Sequence, residues 1–185
     1  MNLGSIFFIY LIGAFPTGII VSRLRGIDVT KSGSGNVGAT NVARVLGFKF
    51  GLLVLFIDIM KGLIGTWLGR HFGLQEALGC LVSVLGHVVS LPYLLKGGKG
   101  VATFIGGLIC VNFFYFVIFL VSFILFFLPS RIVSLSCLVS VWIVILFWFS
   151  SSYSFIPFVI ACVITVAHTK NIIRLIQKKE PKFNL

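Results

Sequence analysis

Residues 101–130 read VATFIGGLICVNFFYFVIFLVSFILFFLPS, and residues 132–167 read IVSLSCLVSVWIVILFWFSSSYSFIPFVIACVITVA. Neither stretch holds a single Asp, Glu, Lys, Arg or His, and Arg131 alone stands between them. A helix packed in water keeps a polar face; one that is apolar all round belongs in a core or in lipid. At 1.5 Å per residue, 30 and 36 residues make helices of roughly 45 and 54 Å, longer than the ~30 Å hydrocarbon layer. Each stretch is therefore expected to fold back as a helical hairpin. The second has its joint at Ser150–Ser154, with Pro157 beyond it, and the first is softest at Gly106–Asn112.

Toward the N-terminus the pattern continues. Leu3–Ser22 and Phe50–Gly69 each have the length of a span, although the latter carries Asp58 and Lys61. A polar joint, Arg70–Glu76, leads into Ala77–Leu95. The whole chain of 185 residues is 58% hydrophobic and 10% charged, with a mean hydropathy of +1.14. Soluble domains carry about 25% charged residues and disordered chains lack apolar ones, so both classes are excluded. No charged region or cleavage site precedes Arg23, so Leu3–Ser22 is expected to be a retained span. Cys80, Cys110, Cys137 and Cys162 lie singly in apolar runs and read as packing residues rather than disulfides or metal ligands.

The charges fix a sidedness. Fifteen Lys and Arg oppose four acids, Asp28, Asp58, Glu76 and Glu180. Because the bases sit between apolar runs, they indicate membrane orientation and an anionic ligand rather than nucleic acid. The loop 23–49 and the tail from Lys170 to Lys182 are both basic, so both are expected in the cytoplasm. The N-terminus is then outside and the number of spans odd: seven if both long stretches are hairpins, five if neither is. Seven is favoured, since it also places Arg131 inside. The fold class is an all-α integral membrane protein, one compact bundle forming a single domain over residues 1–185.

Three polar clusters interrupt the apolar sequence. The first, Lys31-Ser32-Gly33-Ser34-Gly35-Asn36-Val37-Gly38-Ala39-Thr40-Asn41, is followed by Arg44. Its glycines permit positive φ and turn backbone N–H groups toward an anion, while Arg44 can grip a phosphate through two nitrogens. The second is Gly86-His87, then Lys96-Gly97-Gly98-Lys99-Gly100-Val101-Ala102-Thr103. It shares the chemistry of a phosphate loop without the G-x-x-x-x-G-K-[ST] spacing, which excludes a nucleotide-hydrolysing P-loop. The third is His168-Thr169-Lys170-Asn171-Ile172-Ile173-Arg174, whose steps of three put His168, Asn171 and Arg174 along one helix face. Beside Arg131, Ser134 and Ser136 add two hydroxyls. With seven spans all these segments lie at the cytoplasmic boundary, suited to phosphate groups at a lipid surface. Carboxylates are too scattered to hold Mg²⁺, so no metal or cofactor is expected. His71 and Glu76 are spaced like a soluble acyltransferase pair, but sit on the outer side and read as coincidence.

Together, Ser32-Gly33-Ser34-Gly35-Asn36-x-Gly38-Ala39-Thr40-Asn41, the Gly86-His87 and Lys96–Thr103 segments, and His168-x-x-Asn171-Ile172-x-Arg174-Leu175 resemble the three signature motifs of the bacterial acyl-phosphate-dependent glycerol-3-phosphate acyltransferases. The likeness runs from end to end in the same order. It departs at Lys178, where the third motif usually has Gly, and at Leu95, where an aromatic is common. The resemblance implies acyl transfer from acyl phosphate to the 1-hydroxyl of glycerol 3-phosphate, giving 1-acyl-glycerol 3-phosphate and phosphate, the first step of phospholipid synthesis. It implies an inner-membrane enzyme with its site facing the cytoplasm, no metal, and a coupled enzyme that forms acyl phosphate. Carried onto this chain, it implies catalytic roles for Ser34, His87, Lys99 and Asn171. Substrate contacts would come from Asn36, Asn41, Arg44, Lys96, Gly97, Gly98, Gly100, Ser134, Ser136, His168 and Arg174. The alternative is a transporter for a phosphorylated anion, disfavoured because transporters place their polar groups near the bilayer midplane.

Overall fold

A computed structural model describes residues 3–91, 95–152 and 154–183. Two compact units emerge, Met1–Val111 and Asn112–Leu185.

In the first unit the opening span is broken. Helix α1 (Leu3–Ala14) stops and α2 (Thr17–Arg23) restarts after Pro16, whose ring cannot continue a helix. A loop leads to α3 (Ala39–Leu46), and Gly47, at φ 94°, turns the chain into the long α4 (Phe48–His71). Then come α5 (Glu76–Val88), a two-stranded hairpin of β1 (Val89–Ser90) and β2 (Leu95–Lys96), and α6 (Val101–Val111). Sequence reading had no sign of the hairpin. Small residues let these helices touch backbone to backbone, as packing in lipid requires. A Cβ on Gly62 would lie 1.7 Å from the Thr103 carbonyl oxygen, and one on Gly106 1.9 Å from that of Ile59, so α4 and α6 meet only because both are Gly. Beneath the first polar loop, Ile19, Val21, Val29, Val37, Val42 and Val54 form a buried cluster that fixes the loop's ends.

The second unit holds α7 (Phe113–Ser130), α8 (Val133–Ser152), α9 (Ile156–Ala167) and α10 (Thr169–Ile176). Both helix breaks expected in the long apolar stretches are present. Asn112 caps α7, its side chain accepting from the Phe114 N–H at 2.9 Å, and α8 ends at Ser152 before α9 begins at Ile156. Tyr115 stacks on Trp148 at 5.5 Å between ring centres, and Trp142 donates to the Thr165 hydroxyl. All four cysteines are free thiols.

Among the described residues, four segments are long and apolar enough to cross a membrane: Leu3–Arg23, Phe48–His71, Phe113–Ser130 and Val133–Ser150. The pair Ile156–Ala167 and Thr169–Ile176, bent by 63°, makes a fifth if taken as one span. The expected seven therefore stand as four or five, because Glu76–Val88 and Val101–Val111, at 13 and 11 residues, are apolar but short. Outward faces carry bare rows of Phe and Leu, among them Phe7, Phe8, Phe56 and Leu125, as lipid contact demands.

Candidate functional site

The first polar loop is built around one side chain. Asn41, in the first turn of α3 and 2% exposed, accepts from the Ser34 N–H at 2.8 Å and donates to the carbonyls of Asn36 (2.8 Å), Ser32 (3.0 Å) and Val29 (3.3 Å). Gly33 comes so close, at φ 59°, that a Cβ would sit 2.3 Å from the Asn41 Oδ1. Asn36 accepts from the Gly38 N–H at 2.8 Å. Upstream, Asp28 closes a tight turn by accepting from the hydroxyl and N–H of Thr30, and these bonds hold its carboxyl below the usual range. Asn41, expected as a substrate donor, thus spends its amide on the loop, and Asn36 spends its amide oxygen there. What the loop presents outward is Ser34, exposed, and Arg44, one turn beyond Asn41, exposed and without an ion-pair partner among the described residues.

A second polar centre lies in the same unit. His87, at the end of α5, is 8% exposed; its carbonyl accepts from the Gly98 N–H at 3.0 Å. A Cβ on Gly98 would be 2.2 Å from the His87 Nε2, and one on Gly97 2.0 Å from the His87 carbonyl oxygen. These glycines are therefore required by close packing on His87, rather than only by amides turned to a phosphate. Gly100 needs its own residue type, with φ at 81°. Lys99 between them is partly buried, and the Lys96 side chain lies outside the described residues. Below this loop Asp58 and Lys61, 2% and 5% exposed, form an ion pair at 2.6 Å. Lys61 also donates to the Phe15 carbonyl at 2.5 Å, while Ser90 donates to that of Ala14 at 2.7 Å. The Ala14 carbonyl lost its helical partner where α1 ends, and the Phe15 carbonyl also accepts from the Thr17 N–H at 2.9 Å. Thr17, Asp58, Lys61, His87, Ser90 and Gly98 face a common small cavity, and the buried Thr17 hydroxyl has no partner among the described residues.

The third cluster belongs to the second unit. His168, 2% exposed, sits at the α9–α10 bend with Nδ1 2.8 Å from the Ile164 carbonyl, which makes Nδ1 the protonated nitrogen. The face of α10 expected from steps of three is present: Asn171 and Arg174 both reach Glu180, as does the Ser134 hydroxyl at 2.8 Å. Arg174 Nε pairs with the carboxylate at 2.6 Å. Burial pushes the Glu180 carboxyl upward, but these donors outweigh it and hold it below its ordinary value. Ser136 is fully buried and donates to the carbonyl of Ile132, just before its helix, so of the two serines it is Ser134 that turns to the polar cluster.

Sequence reading passed over Asp58, Lys61 and Glu180. The first two had a signal: opposite charges three apart inside an apolar span mark one helix face and are costly without a partner. Glu180, the sole acid in a basic tail, had only its place as the acid on which the third motif ends.

Comparison with known proteins gives these arrangements a context. The glycerol-3-phosphate acyltransferase family profile matches residues 3–178. The chain is 38% identical to the glycerol-3-phosphate acyltransferase of Aquifex aeolicus (strain VF5), over 96% of this chain and 97% of that one. It is likewise 38% identical to that of Trichlorobacter lovleyi (strain ATCC BAA-1151 / DSM 17278 / SZ), covering 94% and 93%. A crystal structure of PlsY (YgiH), an integral membrane glycerol 3-phosphate acyltransferase, in its glycerol 3-phosphate form matches with a TM-score of 0.92. The identity is 37%, and the match covers 98% of this chain and 95% of that one. The lysophosphatidic acid form of PlsY matches at a TM-score of 0.88.

Proposed function

The chain belongs to the glycerol-3-phosphate acyltransferase family, and from that premise we propose that it moves a fatty acyl group from acyl phosphate to the 1-hydroxyl of glycerol 3-phosphate. The hydroxyl oxygen attacks the acyl carbon, the bond from that carbon to the phosphate oxygen breaks, and the departing phosphate takes the hydroxyl proton. The products are 1-acyl-glycerol 3-phosphate and inorganic phosphate. An acyl phosphate is a mixed anhydride with a good leaving group. The protein then needs to position the reactants and stabilise charge more than to supply a strong base. That suits a chain whose carboxylates Asp28, Asp58, Glu76 and Glu180 are each paired with a base.

The observation that carries this reading is the Asn41-locked loop, which leaves Ser34 and the guanidinium of Arg44 outward for a phosphate. Lys99 adds a second cation to the substrate, on a segment seated against His87. In the second unit His168, Asn171, Arg174 and Ser134 are further candidate contacts to glycerol 3-phosphate, the last three aligned by Glu180.

The proposed topology has seven spans, the N-terminus outside and the polar loops in the cytoplasm of a bacterial inner membrane. It is supported by the basic charge of 23–49 and 170–182 and by seven apolar helical segments. The helices of 13 and 11 residues reach only roughly 20 and 16 Å, so the bilayer must thin or the flanking chain extend around them. A partner that forms acyl phosphate completes the scheme.

The test is turnover by purified protein in lipid with acyl phosphate, acyl-CoA and acyl carrier protein as separate donors. Acyl phosphate alone should yield lysophosphatidic acid. Turnover with acyl-CoA and none with acyl phosphate would overturn the assignment.

A further inference from the structure

Asp58 and Lys61 stand in the middle of α4, almost wholly buried, one helical turn apart. Taking two charges out of water is costly, and a pair of apolar side chains would hold neighbouring helices at least as well. Their worth must therefore lie in what they aim at. Lys61 donates to the carbonyl of Phe15 at the break of the first span, and the same Asp58 oxygen that meets Lys61 lies 3.8 Å from the Nδ1 of His87. On the other edge of that ring, Nε2 faces the α-carbon of Gly98, whose N–H is held by the His87 carbonyl. The contacts run from ion pair to imidazole to the glycines that carry Lys99.

We propose that Asp58 and Lys61 are positioning residues for acyl transfer: by fixing the His87 ring against the broken first span, the pair sets where Gly97, Gly98 and Lys99 stand. This rests on the reading that Lys99 serves the reaction, and the test separates the two.

The experiment compares Asp58→Asn/Lys61→Met, Lys99→Ala and the triple variant with wild type in lipid, measuring thermal unfolding, kcat and KM per folded molecule. The double substitution removes one charge of each sign and leaves no unpaired charge. It should fold, lose about tenfold or more in kcat, and make the further loss of Lys99 cost much less than it does in wild type, since a displaced lysine has little left to lose. A merely structural pair would give a less stable protein with independent, multiplicative effects. Wild-type kcat in a folded double variant, or multiplicative losses in the triple, would overturn the positioning role while Lys99→Ala remained impaired. Full activity in Lys99→Ala would instead remove the reading beneath it, and the proposal with it. Should the double variant not fold, Asp58→Glu keeps both charges and lengthens one arm by a methylene. Lowered kcat in that folded protein supports the proposal, and wild-type kcat overturns it.

Discussion

Adding a single methyl group at Gly98 tests how the second polar loop is held. A Cβ there would lie 2.2 Å from the His87 Nε2, whereas ordinary contact begins at 3.4 Å, so something must move by 1.2 Å, the difference of the two. The imidazole has little freedom to yield. It is 8% exposed, with Asp58 near its other nitrogen and its own backbone carbonyl bonded to Gly98. The loop must therefore move, taking Lys99 with it. Displacement of a catalytic element by about 1 Å can cost roughly a hundredfold in rate, and overpacking of this kind costs about 1–3 kcal/mol of stability. Gly73→Ala is the matched control: φ is 72° and nothing lies within 4 Å of its would-be Cβ. It should cost about 1–2 kcal/mol of backbone strain and leave turnover per folded molecule alone. The assay is acyl-phosphate-dependent turnover in lipid alongside thermal unfolding. If Gly98→Ala turned over within about twofold of wild type and unfolded like Gly73→Ala, the close seating of this loop would have no catalytic meaning.

Arg44→Ala and Lys99→Ala should each lower kcat/KM by about ten- to a hundredfold, since a charge-assisted hydrogen bond contributes roughly 1.5–3 kcal/mol, while Lys178→Ala should leave it near wild type. Equal activity in all three would reduce these cations to membrane anchors. The Glu180 carboxyl, held low by Arg174, Asn171 and Ser134, gives the tail an acid-sensitive latch. Because the folded value lies below the unfolded one, its stabilisation is complete above the ordinary glutamate range and is lost as pH falls through the lowered value. Hydrogen exchange at Phe183, whose N–H is held by the Arg131 carbonyl, should stay protected at about pH 5 and open well below pH 4, after correction for intrinsic rates. Protection unchanged on further acidification would disprove the latch. Single cysteines at Lys31 and Lys182 should label with an impermeant reagent only once the inner leaflet is exposed; labelling of either in intact cells would break the proposed sidedness.

Hydrophobicity and its interruptions made most of the architecture legible. An uncharged stretch of 30 residues is too long for one span and has to break, and Asn112, a good cap in an apolar run, is where its second helix starts. The step-of-three face of α10 was equally readable, because helix periodicity is local. What escaped were the features that depend on tertiary partners. Asn41 reads as a donor waiting for substrate, yet the chain itself takes all its donors, and no spacing rule shows which carbonyls will come near. Gly97 and Gly98 suggest an anion nest, but their strictest demand comes from a histidine ten residues earlier in sequence and touching in space. Glu180 organises Ser134, Asn171 and Arg174 from a tail whose composition speaks only of positive charge.

The interrupted first span also bears on the order in which the protein is made. When residues 3–23 enter the bilayer, the carbonyl of Ala14 has lost its helical partner at the break around Pro16, and hydrocarbon offers no substitute, while that of Phe15 accepts from the nearby Thr17 N–H. The eventual partner of the Ala14 carbonyl, Ser90, lies 76 residues further along. At a synthesis rate of about 5–20 residues per second, that interval lasts roughly 4–15 s. Until the β1 strand arrives, that oxygen must be met by water or by the insertion machinery. The N-terminal helix is thus delivered first but finished late, and a ribosome stalled near residue 50 would leave it half-inserted rather than settled.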